Sequence, residues 1–187
     1  MHRRHLNELF DRYARHFPAE HELVARFRAF VAAHPDCLLR TCVPGHITAS
    51  AWIVAADGDA ALLTHHRKLG KWLQLGGHVD GEPAIERAAL REAQEESGMA
   101  EFTFEPSADG SLVPLDLDVH PIPARKQEPE HLHWDVRFLL RAAPGQSLVV
   151  SAESNDLRWW PLAELGTATR EESVLRLARK AAAWPGR

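Results

Sequence analysis

One helix limits what this chain can become. Between Pro83 and Ser97 apolar residues recur at helical spacing, with Pro83 in the first turn and Gly98 just past the end. At about 100° per residue, Ile85, Ala88, Ala89, Glu92 and Glu96 share one arc, and Glu95 sits at its edge. Glu86, Arg87 and Gln94 point elsewhere. The carboxylates therefore lie on the side that the first half of the helix uses for small apolar packing. Like charges three and four residues apart weaken a helix, and burying unpaired carboxylates is expensive. An ordinary solvated face would put them opposite the apolar arc; that reading stays open, and a cation is the economical alternative for carboxylates placed where these are. Hard divalent ions such as Mg²⁺ or Mn²⁺ prefer clustered carboxylate oxygens, with water completing the shell.

The rest of the chain divides around this helix. Leu6, Leu9, Phe10, Tyr13 and Phe17 form one apolar stripe, punctuated by Pro18, and Leu23, Phe27, Phe30 and Val31 form a second that ends near His34-Pro35. These two helices predict an N-terminal extension over residues 1–43, ahead of a main domain over 44–187. From Gly45 the period changes to two. Ile47, Ala49, Ala51 and Ile53 share one face of a strand; Thr48, Ser50, Trp52 and Val54 share the other. "AALLTHH", after the turn Asp57-Gly58-Asp59, is its expected hairpin partner. Further strands are expected at Phe102–Glu105, Leu115–His120, Leu132–Arg141, Ser147–Val150 and Leu157–Trp160. A last helix starts near Thr169, which has capping-box spacing to Glu172. Interleaved strands and helices, with strands in excess, give an α+β or mixed α/β class.

Composition excludes several functions. Twenty-two basic against 26 acidic residues leave a net charge of -4, which weighs against a general nucleic-acid or anionic-membrane binder. The first residues are charged and lack the apolar core of a signal peptide, and no apolar run reaches membrane-spanning length. Two cysteines, Cys37 and Cys42, make neither a disulfide framework nor a common zinc pattern, so small buried hydrophobes in a cytoplasmic protein are expected.

Starting from Gly77, the sequence resembles the box of the Nudix hydrolase family: Gly, five residues, Glu, seven residues, then Arg-Glu-hydrophobic-any-Glu-Glu-any-Gly-hydrophobic. Arg91, Glu92, Ala93, Glu95, Glu96, Gly98 and Met99 all fall in register with Gly77. One position departs: Pro83 stands where the box has its early Glu, and Glu82 comes one residue too soon. In the family that Glu helps orient the box Arg. "ALLTHHRKLGKWLQLGGHV" and "ESNDLRWWPLAEL" are also similar to family segments, so the resemblance covers about residues 45–166.

The resemblance implies a mixed sheet sandwiched between helices, and hydrolysis of a diphosphate linked to another moiety, often a nucleoside diphosphate. It implies Mg²⁺ or Mn²⁺ held by Glu92 and Glu96, with the Gly77 carbonyl and Glu95 also facing the ion. Arg91 would orient the carboxylates, and the general base would be Glu95 or Glu153. Phosphoryl transfer asks mainly for positioning and charge neutralisation, which these residues suit. Arg67, Lys68 and Lys71 could meet phosphates, or form an ordinary basic loop. In "EHLHWDVRFLL", His131, His133, Asp135 and Arg137 alternate against Leu132, Trp134, Val136 and Phe138. The polar set is expected as a plain polar face, a pocket wall contributing His133 and Arg137, or a second metal pair with His78 or His65. Trp52, Trp134, Trp159 and Trp160 suit base stacking or core. The expected partner is a small nucleotide or organic diphosphate, and the N-terminal helices could serve a homodimer. Two other functions share the fold: a non-catalytic nucleotide sensor, and an isopentenyl diphosphate isomerase, whose cysteine near the metal has no counterpart beside this box.

Overall fold

In the computed structural model, residues 2–125 and 128–185 are described. Along the chain run α1 (His2–His16), α2 (His21–Ala33), β1 (Gly45–Val54), β2 (Ala60–His66), β3 (Lys71–Leu73), β4 (Leu75–His78) and α3 (Ile85–Ser97). They are followed by β5 (Phe102–Phe104), β6 (Asp116–Ile122), β7 (His131–Ala142), β8 (Ser154–Pro161), α4 (Leu165–Ala168) and α5 (Glu172–Ala182). Single turns of 3₁₀ helix precede α2 and α4.

Period-two alternation in the two longest strands builds the centre of the sheet. β1 and β7 pair in parallel from Gly45–Leu132 to Val54–Arg141, so each face of one strand continues onto the other. β2, β3 and β8 extend the sheet from β1, while β5 and β6 pair antiparallel with β7 and β4 pairs antiparallel with β1. On one face Ile47, Ala49, Ala51, Trp134, Val136 and Phe138 pack against Ile85, Ala88 and Ala89 of α3. The stripes of α1 and α2 join that same core: Leu6, Leu9, Phe10 and Tyr13 are fully buried, and Phe30 stacks on Trp134 at 4.4 Å between ring centres. On the other face Trp52, Val54, Leu63 and Leu139 pack under Val174 and Leu177 of α5. The chain is thus a mixed sheet between helices, with the N-terminal pair folded onto it.

Local departures from the sequence expectations have plain causes. The helix expected from Pro83 begins at Ile85, because Ala84 keeps a non-helical backbone and Pro83 lies in the entering turn. Residues 147–150 form no strand: Val149 donates its backbone N–H to the Ser97 carbonyl (2.8 Å), and Val149 and Val150 are exposed. α5 begins at Glu172, three residues beyond Thr169, whose hydroxyl accepts from the Glu171 N–H (3.2 Å) rather than forming a capping box.

A buried ionic network ties both layers together. Arg137, 2% exposed, donates to Asp135 (2.7 Å), Asp116 (3.3 Å) and Asp118 (2.9 Å). Arg176 of α5 reaches Asp116 (2.8 Å) and Asp118 (2.6 Å). Lys180 bridges Asp116 (2.8 Å), Glu20 (2.6 Å) and the Tyr13 hydroxyl (2.7 Å). Burial alone would raise the Asp118 carboxyl, but the His120 hydrogen bond and the Arg137 and Arg176 guanidiniums hold it below the usual carboxylate range. A depressed folded pKa stabilises above the unfolded value of about 3.9 and loses that stabilisation as pH falls toward the folded value. Asp118→Asn is therefore expected to cost about 1.5–3 kcal/mol near pH 5 in urea unfolding, with the gap to wild type narrowing near pH 3. A gap that is constant or widens at the lower pH would contradict this.

Candidate active site

The box residues meet because β4 and α3 both pack on β1. β4 sets Gly76 opposite Ser50 and Gly77 opposite Ala49; after a short loop α3 returns across the same strand. Glu92 then lies directly on Gly77, where a Cβ would sit 2.5 Å from its Oε2. Here glycine is required by close approach. Glu96 accepts a hydrogen bond from the Gly76 N–H at 3.3 Å. Gly98 ends α3 in the left-handed conformation (φ 72°), and a side chain there would collide with Val149.

Electrostatics separates the four carboxylates. Burial pushes Glu96 up to about 8, with neighbouring Glu92, Glu153 and Glu95 adding to the rise and the Gly76 N–H opposing it. Glu92 is raised by burial too, but its bond from Arg91 (2.8 Å) offsets part of that. Glu95 is exposed and lies 3.8 Å from the Arg91 Nε. Glu153 is exposed at the start of β8, close enough for its charge to raise both Glu92 and Glu96. Carboxylates crowded this way on a glycine backbone lower their energy by sharing a cation. The donor set is all oxygen, which fits a hard divalent ion.

Arg91 is positioned without Glu82. Its guanidinium donates to the His78 carbonyl (2.6 Å) and to Glu92. Glu82 instead accepts from the Ala84 N–H (2.9 Å), holding the turn into α3. The one-residue displacement of this Glu gives it a structural task in the loop.

Gly76, Gly77 and Glu153 line a cleft of about 930 Å³ that runs along the polar half of the β1–β7 face. Thr48, Ser50 and Asp135 form part of its wall, with both hydroxyls bonded to Asp135 (3.0 and 2.8 Å). Arg137 is in the same wall, engaged with its three aspartates. Lys71 lines the cleft and pairs with Glu171 at 2.9 Å, whereas Arg67 rests on the Ser154 carbonyl at 3.4 Å. His133 also lines the cleft, in ring contact with His46, His78, His120 and His131. His65 is placed away from this group, against Trp72 and Asn155. Trp52 and Trp134 are core residues. Cys37 and Cys42 are buried and unbridged, and burial pushes both thiols up to about 11.

The alternation along β7 was readable, but the partners of its histidines were not. His46 shares no local motif with them; only the parallel register puts it opposite His133. Arg40, which donates to His78 Nδ1 at 2.7 Å, gave no sequence signal either.

The NUDIX domain profile matches residues 44–181. The chain belongs to the Nudix family. Solved structures carry the same fold. A NUDIX-family hydrolase from Clostridium perfringens is similar with a TM-score of 0.58 at 23% identity, covering 74% of this chain and 97% of that one. A C. elegans Ap4A hydrolase gives 0.57 at 20% identity, over 73% and 95% of the two chains. The E. coli dihydroneopterin triphosphate pyrophosphohydrolase gives 0.54 at 16% identity, over 72% and 92%. No curated protein sequence matches the chain. The Nudix profile begins just ahead of β1, so α1 and α2 lie outside the matched region.

The two side chains near the box turn separate by stability. Glu82→Ala removes one carboxylate–backbone bond at the entry to α3 and is expected to cost about 0.5–2 kcal/mol in urea unfolding. Arg91→Ala should cost more, because it leaves the His78 carbonyl and the half-buried Glu92 carboxylate without their donor. The reverse order would show that Glu82 carries the loop differently.

Proposed function

We propose that this Nudix protein is a divalent-metal-dependent hydrolase of a diphosphate linkage, in a nucleoside diphosphate derivative or similar organic pyrophosphate. The observation that carries this reading is the packing of Glu92 and Glu96 onto the Gly76–Gly77 backbone, with Glu153 on the same cleft. Glu92, Glu96 and the Gly77 carbonyl would hold Mg²⁺ or Mn²⁺, joined by Glu95 or Glu153. Such an ion, when bound, neutralises charge on the diphosphate and lowers the pKa of attacking water.

The chain's own residues do the rest. Arg91 fixes the Glu92 carboxylate in rotamer and charge from one side, while the absence of a Cβ at Gly77 leaves room for it on the other. Glu95 and Glu153 are exposed carboxylates within reach of solvent, where either could take a proton from water. Glu153 already faces the cleft; Glu95 is loosely restrained by Arg91. Lys68 and Lys71 line the cleft and would meet substrate phosphates, Lys71 by exchanging its partner Glu171. Arg137 and His133 shape the wall on which the rest of the substrate lies.

Incubating the protein with Mg²⁺ or Mn²⁺ and a panel of nucleoside diphosphate derivatives and dinucleoside polyphosphates, with phosphatase-coupled phosphate release, tests this. Metal-dependent turnover is expected for the wild type. Glu92→Gln and Glu96→Gln should each lower it by more than the roughly 100-fold typical of outer-shell changes, with the circular dichroism spectrum kept. Gly77→Ala should also lower it, because the new methyl displaces the Glu92 carboxylate. Full turnover in either glutamine variant, or turnover in a chelator, would overturn the reading.

A further inference from the structure

Beside the carboxylates, the same cleft holds a second set of donors of different chemistry. His46 opposes His133 across the parallel ladder, and His131 precedes His133 on the same face of β7. Their rings lie 4.8 Å (His46–His133), 5.0 Å (His46–His131) and 5.3 Å (His131–His133) apart, and one ring nitrogen from each comes within 4.8 Å of the other two. We propose that His46, His131 and His133 form a zinc-class metal site in the substrate cleft, distinct from the carboxylate site.

Hydrogen bonding shows which nitrogens are available. His46 is 2% exposed, and among the described residues neither of its ring nitrogens has a hydrogen-bond partner. A buried imidazole with both nitrogens unmet is costly, and a ligand accounts for it. His133 Nε2 is likewise buried and unpartnered. His131 donates its Nδ1–H to the Pro129 carbonyl (2.8 Å), which leaves the Nε2 lone pair free and orients the ring. That is the arrangement by which outer-shell carbonyls set metal-binding histidines. His78, though in ring contact with His46, is not a ligand: Arg40 donates to its Nδ1, so the proton sits on Nε2.

The donor set selects the metal. Three neutral imidazoles suit Zn²⁺ rather than the hard ions that carboxylates prefer. Three protein ligands with a fourth position open is the pattern of zinc sites that keep a place for water or substrate. All three rings line the cleft, so that fourth position faces the bound substrate. Four-coordinate zinc with bonds of about 2.0–2.1 Å puts its nitrogens about 3.4 Å apart, so from separations within 4.8 Å the rings close by at most about 1.4 Å on binding. His131, at the partly exposed start of β7, has the freedom to make most of that movement. The proposal holds whether or not the chain hydrolyses a diphosphate.

The test is Zn²⁺ titration by calorimetry in excess Mg²⁺, which occupies the carboxylates, paired with the visible spectrum of the Co²⁺-loaded full chain. One Zn²⁺ per chain is expected with Kd below about 1 μM. The Co²⁺ form should show the intense absorption of a four-coordinate nitrogen site. His131→Ala should weaken Zn²⁺ by at least the 10–100-fold of an outer-shell loss and remove the Co²⁺ band, with the metal-free melting temperature as its folding control. His131→Gln serves if the alanine variant melts early. No Zn²⁺ binding in Mg²⁺, a six-coordinate Co²⁺ spectrum in the wild type, or unchanged affinity in a folded His131 variant would each overturn the proposal.

Discussion

The parallel pairing of β1 with β7 is the constraint on which the rest depends. Ten residues of each strand run in register, so the alternation in one is copied onto the other. One face becomes continuously apolar and accepts α3 and the N-terminal helices. The other is split along its length: Trp52, Val54 and Leu139 are apolar beneath α5, while His46, Thr48, Ser50, His133 and Asp135 are polar and open to the cleft. A slip of one residue would send every polar side chain into the α3 core. The same ladder seats β4, whose glycines receive Glu92 and Glu96 from α3. Core, cleft and carboxylate cluster are therefore consequences of one register.

Buried charge is handled in two contrasting ways. Around Arg137, three aspartates meet Arg137, Arg176 and Lys180 at hydrogen-bond distance, so desolvation is compensated inside the chain. This network also clamps α5 and α1 to the strands through Lys180 and Tyr13. Around Glu96 the compensation is incomplete: four carboxylates approach one another, Arg91 serves Glu92, and Glu96 has one backbone donor. One cluster is closely balanced and the other is left short of positive charge, which is what the proposed function needs of a place for an ion from solution.

Much of this was legible in the letters. The carboxylates on the packing arc of α3 follow from 3.6-residue periodicity alone, and the faces of β1 and β7 from period two. β3 and β4 escaped because they are three and four residues long, interrupted by Gln74, and β4 contains two glycines, which read as loop rather than strand. Residues 147–150 deceived in the opposite sense: β-branched valines suggested a strand, yet the segment is held by the end of α3 and pairs with no neighbour. Pro83 in the box position of a Glu was visible, but the task of Glu82 in the turn to Ala84 was not, since what that side chain reaches is set by how the loop folds back on itself. The histidine triad was half visible, because His131 and His133 declare their shared face while His46 joins them only through a long-range register.

On the proposed function, Glu92 and Glu96 are held together for a divalent cation. Mn²⁺ binding followed by electron paramagnetic resonance reads this directly, without a substrate. The wild type should take up Mn²⁺ in competition with Mg²⁺, and the Glu92→Gln/Glu96→Gln double variant, still folded, should leave it free in solution. Equal uptake by the folded double variant would contradict the account.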